Sequence, residues 1–206
     1  MTKILLIKSS PRGTASYSNQ VADNLIENLR RVHPGASVSI RDLGREPPPH
    51  IDIDFANGLA TTAEQRSANQ RTAVDRSDTL VEELLDADIV VIAAAMINFA
   101  IPSTLKAWVD HVTRSGKTFS YGQGGPKGLV GGKRVILVLA KGGVYSGSAQ
   151  SIDFVTPYMK HMLAFLGMSD VQVIEVEGTN LGAQSAEAAL ARGVKCADAV
   201  ASQLAV

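Results

Sequence analysis

One loop near the start of the chain has the residue types of a phosphate-binding site. The loop runs from Ser9 to Asn19, between a short apolar run, Ile4 to Ile7, and a helical pattern. Its hydroxyls and free backbone N–H groups would lie at the positive end of that helix, which suits a phosphate monoester. Neither a Walker pattern nor a G-x-G-x-x-G dinucleotide pattern occurs in the chain. The alternative interpretation is an ordinary loop in which Ser18 caps the helix.

A second loop has residue types that suit a flat heterocycle. Met96 to Phe99 comes shortly after a continuous apolar run, Ile89 to Ala94. Within it, Asn98 supplies both hydrogen-bond donors and acceptors, and Phe99 supplies a surface for stacking. The loop is therefore a candidate edge of a ring-binding pocket. The alternative interpretation is a turn asparagine beside a core phenylalanine.

A third loop, Ala140 to Tyr145, combines two glycines with a lysine. Gly142 and Gly143 let the backbone approach a ligand closely while both N–H groups stay free. Lys141 adds a positive charge beside them. Together these groups would stabilise negative charge that develops on a bound ring. The alternative interpretation is an ordinary glycine turn with a solvated lysine.

Apolar runs bounded by turn residues alternate with helical patterns, which indicates repeated β-α-β units. We predict an α/β fold in a single domain spanning residues 1–206. The right-handed crossover rule favours a doubly wound, five-stranded parallel sheet with helices on both faces. Two strand orders remain open at this point, the flavodoxin-like 2-1-3-4-5 and a Rossmann-type half. The predicted strands cover residues 4–7, 38–40, 89–94, 135–140 and 171–176.

Either strand order places ligands beyond the carboxyl ends of the strands. The three candidate loops follow the first, third and fourth strands, so they would meet at one edge of the sheet. Three such loops at one edge predict a nucleotide-like cofactor more strongly than any one of them does.

Two segments interrupt the alternation. Residues 42–62 contain Pro47-Pro48-Pro49 and little periodicity, so we predict a long irregular connection there. Phe119 and Tyr121 alternate within a Gly-rich stretch, which suits a small hairpin.

Composition excludes several classes of partner. The 206 residues carry 20 Lys and Arg against 20 Asp and Glu, a formal net charge of 0. This balance argues against general binding of nucleic acid and against a basic membrane-binding face. The longest apolar run, Ile89 to Ile97, is far shorter than the roughly 20 residues of a membrane-spanning helix. A single cysteine, Cys196, fits a reducing cytoplasm, and we expect it to pack in the last helix. The four histidines show no metal-ligand spacing, so no metal is predicted.

These segments together resemble a known family, the FMN-dependent NADH azoreductases, also called NADH:quinone oxidoreductases, of flavodoxin-like fold. The resemblance covers essentially the whole chain. The order and spacing of the pieces make it specific, although no single piece is. The pieces are Lys8-Ser9-Ser10, Ser16-Tyr17-Ser18-Asn19-Gln20, Arg41-Asp42-Leu43, Met96-Ile97-Asn98-Phe99, Thr118-Phe119-Ser120-Tyr121, Gly125-Pro126-Lys127-Gly128-Leu129, Lys141-Gly142-Gly143 and Val155-Thr156-Pro157-Tyr158.

The resemblance implies an FMN cofactor held by the three candidate loops. The first loop would hold the phosphate, the second would follow the edge of the isoalloxazine ring, and the third would lie near the N1–O2 side. Asn98 would hydrogen-bond to the ring. The implied cofactor-binding residues are Ser10, Ser16, Tyr17, Ser18, Met96, Ile97, Asn98, Phe99, Ala140, Lys141, Gly142 and Gly143.

The resemblance also implies an enzyme whose flavin carries out the chemistry. NADH or NADPH would donate hydride, and a small quinone or azo acceptor would then take its place, which predicts ping-pong kinetics. The chain would supply no acid–base pair, and Lys141, Gly142 and Gly143 would support the ring electrostatically. The expected assembly is a homodimer with the flavin near the interface. The implied substrate-pocket residues are Phe99, Phe119, Tyr121 and Tyr145.

Two other functions fit the same fold. A non-enzymatic FMN electron carrier similar to flavodoxin is the first, although such carriers tend to be acidic and this chain is neutral. A flavin-free binding or regulatory protein is the second. The chain also departs from the family pattern, because Ala95 and Ile97 stand where Pro and Tyr are usual, Lys141 stands for Arg, and Tyr145 stands for His.

Overall fold

The computed structural model describes residues 1–204 and contains a central sheet of five parallel strands. Across this sheet the strands follow the order β2-β1-β3-β6-β7, where the labels count strands along the chain. Taken without the two strands of a separate hairpin, this order is 2-1-3-4-5. The flavodoxin-like order is thereby confirmed, and the Rossmann-type half is wrong. The strands are β1 (Lys3–Lys8), β2 (Ser37–Asp42), β3 (Ile89–Ala95), β4 (Phe119–Gly122), β5 (Gly125–Gly128), β6 (Arg134–Lys141) and β7 (Asp170–Glu177).

Helices cover both faces of this sheet, because side chains alternate along each strand. Leu5 and Ile7 of β1 pack in one core with the apolar faces of three helices, whereas Ile4 and Leu6 pack in a second core with two others. The first core lies against α3, α4 and α5, and the second lies against α1 and α6. The helices are α1 (Tyr17–Val32), α2 (Ile53–Ala60), α3 (Ala68–Asp86), α4 (Ser103–Val112), α5 (Val155–Phe165) and α6 (Ala183–Gln203).

The connection after β2 is more regular than the sequence predicted. Its second half forms α2, where the Asp52 side chain accepts a hydrogen bond from Phe55 N at 2.8 Å and caps the helix. Phe55 is buried, and α2 packs against α3. The prediction of irregular structure over residues 42–62 is therefore wrong for Ile53–Ala60, because one capped turn and one buried aromatic suffice to dock a short helix.

The predicted hairpin is confirmed. β4 and β5 pair antiparallel, with Phe119 opposite Gly128. The hairpin packs on the turn after α5, where Val130 N donates to Leu166 O at 2.8 Å. It therefore lies beside the sheet and does not extend it.

Cys196 does not pack in the core as expected. The buried positions of α6 include Ala189, Gly193, Ala197 and Val200, which follow helical spacing. Cys196 precedes Ala197 by one position, so it points about 100° away from that stripe and is exposed. Within residues 1–204, no helix combines the length and the apolar character required to cross a membrane.

Candidate functional site

A cavity of about 160 Å³ lies at the carboxyl ends of the strands, beside the start of α1. The three candidate loops all contribute to it, as their positions after β1, β3 and β6 predicted. The loop after β7 contributes as well, which the sequence reading missed although the same rule applies to any strand end. The lining residues are Ser10, Pro11, Arg12, Ser16, Tyr17, Ala95, Met96, Ile97, Ala140, Gly142, Thr179 and Asn180.

Hydroxyl groups and a helix start form one end of this cavity. Ser16 caps α1, since its Oγ accepts a hydrogen bond from Asn19 N at 3.4 Å. The Ser16 Oγ also lies 3.0 Å from Ser18 Oγ, and both serines and Ser10 are buried. The cap is therefore Ser16, and the alternative in which Ser18 caps the helix is wrong. The first N–H groups of α1 have no acceptor within the helix, which gives this end a positive potential.

Arg12 adds a cation that the sequence reading overlooked. Its guanidinium lies 5.9 Å from the centre of the Tyr17 ring, and both residues line the cavity. This cation–π contact restrains the arginine side chain and leaves its positive charge available to a ligand. A sequence signal did exist, because Arg12 is the only cation in the loop between Ser9 and Asn19.

A strained turn, Ile97–Ala100, borders the cavity through Ile97, and Asn98 and Phe99 of the same turn lie just beyond the lining residues. Asn98 and Phe99 have φ angles of 49° and 68°, in the left-handed region that side chains other than glycine rarely adopt. Two hydrogen bonds close the turn, Ile97 N to Ala100 O at 2.9 Å and Ala100 N to Ile97 O at 3.0 Å. Strained residues of this kind cluster at ligand-binding sites. The alternative of a core phenylalanine is wrong, because 48% of Phe99 is exposed.

The glycine loop contributes open backbone. Gly142 and Gly143 lie outside the strands, and among residues 1–204 neither N–H donates a hydrogen bond. Their carbonyls accept hydrogen bonds from Asn180 N at 3.0 Å and Gly178 N at 2.9 Å, which fixes the orientation of the loop. A Cβ on Gly142 would lie 2.6 Å from Asn180 Nδ2, so any larger residue here would push the Asn180 side chain aside.

Lys141 lies elsewhere than the sequence reading placed it. Its Nζ lies 2.7 Å from Asp153 Oδ2 and 2.8 Å from Glu175 Oε2, and its side chain is only 2% exposed. Burial alone would lower the pKa of Lys141, but the hydrogen bonds to Asp153 and Glu175 outweigh it and raise the pKa. The ammonium is thus charged and already paired, so the expected free cation beside the two glycines is absent.

Strand alternation explains this orientation. Leu137 and Leu139 of β6 face the core shared with α5, and Lys141 continues the same alternation. Val138 and Ala140 face the opposite core, on the side of α1 and of the cavity. Once the strand β6 was predicted, the alternation of its side chains between the two faces of the sheet was enough to place Lys141 on the face of Leu137 and Leu139.

The four expected substrate-pocket residues do not meet at the cavity. Tyr145 contacts Phe99 edge to face, with ring centroids 6.4 Å apart, and lines a separate polar hollow beside Lys141. Phe119 is buried against Phe165, and Tyr121 is 73% exposed on the hairpin. None of these aromatic side chains lines the cavity in the described part of the chain. Residues 1–204 also contain no group of three or more His, Cys, Asp or Glu arranged to hold a metal ion.

Comparison with known proteins gives consistent results. A family model described as the flavodoxin-like fold matches residues 2–200. The FMN-dependent NADH:quinone oxidoreductase of Mesorhizobium japonicum is 50% identical over 198 residues, which cover 96% of this chain and 94% of that protein. An FMN-dependent NADH:quinone oxidoreductase of Pseudomonas fluorescens is 45% identical over 205 residues and is covered completely, as is this chain.

Solved structures agree with these relatives. An azoreductase from Bacillus anthracis superposes with a TM-score of 0.91 at 31% identity, covering 98% of this chain and 100% of that one. An FMN-dependent NADH-azoreductase from the same species, solved in complex with FMN, gives a TM-score of 0.92 at 25% identity with both chains fully covered. This chain therefore belongs to the family of FMN-dependent NADH:quinone oxidoreductases and azoreductases, enzymes of flavodoxin-like fold.

Proposed function

We propose that this chain binds FMN and uses NADH, or NADPH, to reduce quinones and azo compounds. The observation that carries the proposal is the cavity at the carboxyl edge, which joins a phosphate-type cradle to an apolar turn and a glycine loop. When bound there, FMN would accept hydride from the nicotinamide and pass an electron pair to the acceptor.

The residues of the cavity fit the chemical groups of FMN. Buried hydroxyls, a helix N-terminus and Arg12 at one end match a phosphate dianion. At the other end, Met96 and Ile97 present apolar surface, and the N–H groups of Gly142 and Gly143 can donate to ring acceptors. The absence of a side chain at Gly142 lets Asn180 lie close beside it, and both residues line the cavity.

In this scheme the residues of the chain bind FMN and orient its ring. Ser10, Ser16 and Ser18 would hold the phosphate. The contact with the Tyr17 ring would keep the Arg12 guanidinium close to that phosphate. At the ring, Asn98 would hydrogen-bond to a polar edge while Phe99 would exclude water from one side. The two glycine N–H groups would meet negative charge in place of the Lys141 ammonium, which is already paired.

The nicotinamide donor and the quinone or azo acceptor would bind one after the other at the same place beside FMN. NADH would leave as NAD⁺ before the quinone enters, and the quinone would receive the equivalent of that hydride together with one proton from solvent. Among residues 1–204 the lining of the cavity includes no carboxylate and no histidine, so in this scheme solvent supplies that proton. The shared place predicts ping-pong kinetics.

The proposed assembly is a homodimer. An apolar groove of about 420 Å³ lies next to the strained turn, lined by Ala100, Ile101, Phe154, Pro157 and Tyr158 together with Lys106. Phe99 and Phe154 are 48% and 56% exposed at its margin. Contiguous apolar surface of this kind favours a protein interface, and a second copy would complete the substrate pocket from outside the cavity.

Anaerobic stopped-flow absorbance tests the proposed reaction. The FMN-loaded protein is mixed with NADH, then with benzoquinone, and NADPH is tested in parallel. We expect rapid two-electron bleaching followed by rapid quinone-dependent recovery, with parallel double-reciprocal plots in steady state. FMN that binds tightly but is bleached by neither nicotinamide would contradict the proposal and favour an electron carrier. Colourless protein that takes up no FMN would favour the flavin-free alternative.

A further inference from the structure

Lys141 connects three elements of the carboxyl edge. Besides Asp153 and Glu175, its Nζ contacts Thr156 Oγ1 at 3.1 Å. Lys141 ends β6, Glu175 belongs to β7, Thr156 lies in the first turn of α5, and Asp153 lies two residues before that helix. The side chains of Lys141 and Asp153 are 2% and 8% exposed, so this ion pair is shielded from solvent. Breaking such a buried pair leaves an unpaired charge and costs far more than breaking a surface pair.

Asp153 also sets the position of the first turn of α5. Its Oδ1 accepts hydrogen bonds from Val155 N at 3.0 Å and Thr156 N at 3.2 Å. The next residue, Phe154, donates its N–H to Phe99 O at 3.1 Å. The carboxylate that pairs with Lys141 therefore holds the residues on the carboxyl side of Phe154, whose N–H reaches from the start of α5 to the strained turn.

The strained turn requires an external restraint. Its two central residues lie in the left-handed region, and such residues persist only where the surrounding structure holds them there. The two hydrogen bonds between Ile97 and Ala100 close the turn without connecting it to the rest of the chain. The hydrogen bond from Phe154 N to Phe99 O connects the turn to the start of α5, and the edge-to-face contact of Phe99 with Tyr145 is a second link.

We propose that Lys141 and Asp153 are positioning residues whose ion pair, acting through the Phe154 N–H, holds the turn Ile97–Ala100 in the conformation that presents Asn98 and Phe99 to the cofactor. Lys141 then acts on the cofactor through this turn and not through its own charge. The cofactor's identity rests on the proposed function, whereas the restraint on the turn stands on contacts within the chain.

Binding of FMN distinguishes positioning from direct charge. Lys141→Met removes the cation, and Asp153→Asn releases it from its partner with little change in size. A direct role of the charge predicts opposite effects on FMN affinity, weaker in Lys141→Met and tighter in Asp153→Asn. Positioning predicts that both variants bind FMN about fivefold more weakly or worse, as for the loss of one hydrogen bond. FMN fluorescence quenching measures the affinities, Lys141→Arg should restore most of the affinity, and exposed Lys160→Met serves as the control.

Amide hydrogen exchange tests the restraint without FMN and without reference to the proposed activity. Phe154→Pro removes the N–H donor, whereas Phe154→Ala removes the same aromatic ring and keeps the donor. Measured on the full-length chain without added FMN, we expect the amides of Ile97 and Ala100 to exchange about fivefold faster in Phe154→Pro than in Phe154→Ala. Asp153→Asn should produce the same increase if it folds.

The outcomes separate the two proposals. Equal exchange at residues 97–100 in both Phe154 variants, or tighter FMN binding in Asp153→Asn, would overturn the positioning role. A wild-type chain that binds no FMN would overturn the proposed function, and the exchange measurement would still decide the role of the ion pair.

Discussion

At the scale of single residues, Ser16 occupies a position where helix capping and ligand binding coincide. Its Oγ caps α1 through Asn19 N, and the residue also lines the cavity beside Ser18. Substitution by alanine removes both contributions at once. Substitution by aspartate keeps a strong capping oxygen but places a negative charge where the phosphate would lie.

We expect Ser16→Ala and Ser16→Asp to separate stability from binding. Ser16→Ala should lower the free energy of unfolding by about 1 kcal/mol through the lost cap, and Ser16→Asp should leave it nearly unchanged. Both variants should bind FMN more weakly, with the larger loss in Ser16→Asp because its carboxylate repels the phosphate. Urea unfolding and FMN fluorescence quenching measure the two quantities.

Riboflavin provides the control for this prediction, because it lacks the phosphate. Ser16→Asp should bind riboflavin as well as the wild type does. An equal loss of affinity for FMN and riboflavin would contradict the assignment of Ser16 to the phosphate end.

At the scale of elements, Gly128 determines how the hairpin β4-β5 packs. A Cβ at Gly128 would collide with the backbone of Leu166 and Gly167, where no flexible side chain can move aside. Gly131 lies three residues later, and a Cβ there would meet only Gly167 O at an ordinary 3.6 Å. The two glycines therefore form a matched pair on one segment.

We expect Gly128→Ala to destabilise the protein by at least about 1–3 kcal/mol, the range for a forced overpacking. Gly131→Ala should change the free energy of unfolding by less than about 1 kcal/mol. The added Cβ makes no close contact in the folded protein, so its main effect is to reduce the conformational freedom of the unfolded chain. Denaturant unfolding of both variants checks this prediction. Equal stability of the two variants would show that the hairpin can move away from α5 without loss.

His111 connects α4 to the segment before α2. Its Nε2 lies 2.9 Å from Pro49 O, and since a carbonyl only accepts, Nε2 carries the proton. Nδ1 is buried without a hydrogen-bond partner, and the ring packs edge-on against Phe55. Burial and the nearby cation of Arg114 lower the pKa of His111, while the bond to Pro49 and the charges of Asp110 and Asp52 partly oppose this shift.

This lowered pKa predicts a pH-dependent stability. Below about pH 6.5 the unfolded chain binds a proton at this histidine that the folded chain resists. The contribution of His111 to stability is therefore complete above pH 6.5 and is lost as the pH falls toward the folded-state pKa. We expect the stability advantage of the wild type over His111→Leu to shrink between pH 8 and pH 5, measured by urea unfolding. Parallel pH profiles for the two proteins would contradict this prediction.

At the scale of the whole molecule, the exposed apolar groove beside the strained turn predicts self-association. We expect sedimentation equilibrium to give twice the chain mass of 21.7 kDa. Phe154→Asp places a charge in this groove and should shift the protein to monomer, since an unpaired charge is costly in a dry interface. Gln184→Asp on α6, across the sheet, makes the same charge change and should leave the dimer intact. A wild type that sediments as a monomer would contradict the proposed assembly.

Local patterns were sufficient to predict most of the fold. Apolar runs bounded by turn residues predicted β3 and β6, and these strands bury nearly all their side chains because helices cover both faces of the parallel sheet. The alternation of Phe119 and Tyr121 within the glycine-rich stretch predicted the hairpin. The missed helix α2 is stabilised by one cap and by packing on α3, and an eight-residue helix carries too little periodicity to show in a sequence.

By itself, the sequence determined the class of the sheet, its family and the three loops that meet at its carboxyl edge. Only the tertiary structure showed that Thr179 and Asn180 complete the cavity, that Arg12 lies over Tyr17, and that the Lys141 ammonium is taken up by Asp153 and Glu175. The physical reason is that strand and helix patterns depend on neighbouring residues in the sequence. The partner of a charged side chain depends instead on which distant segments the fold brings next to it. Lys141 and Asp153 are twelve residues apart, Lys141 and Glu175 are thirty-four apart, and only folding decides that they meet.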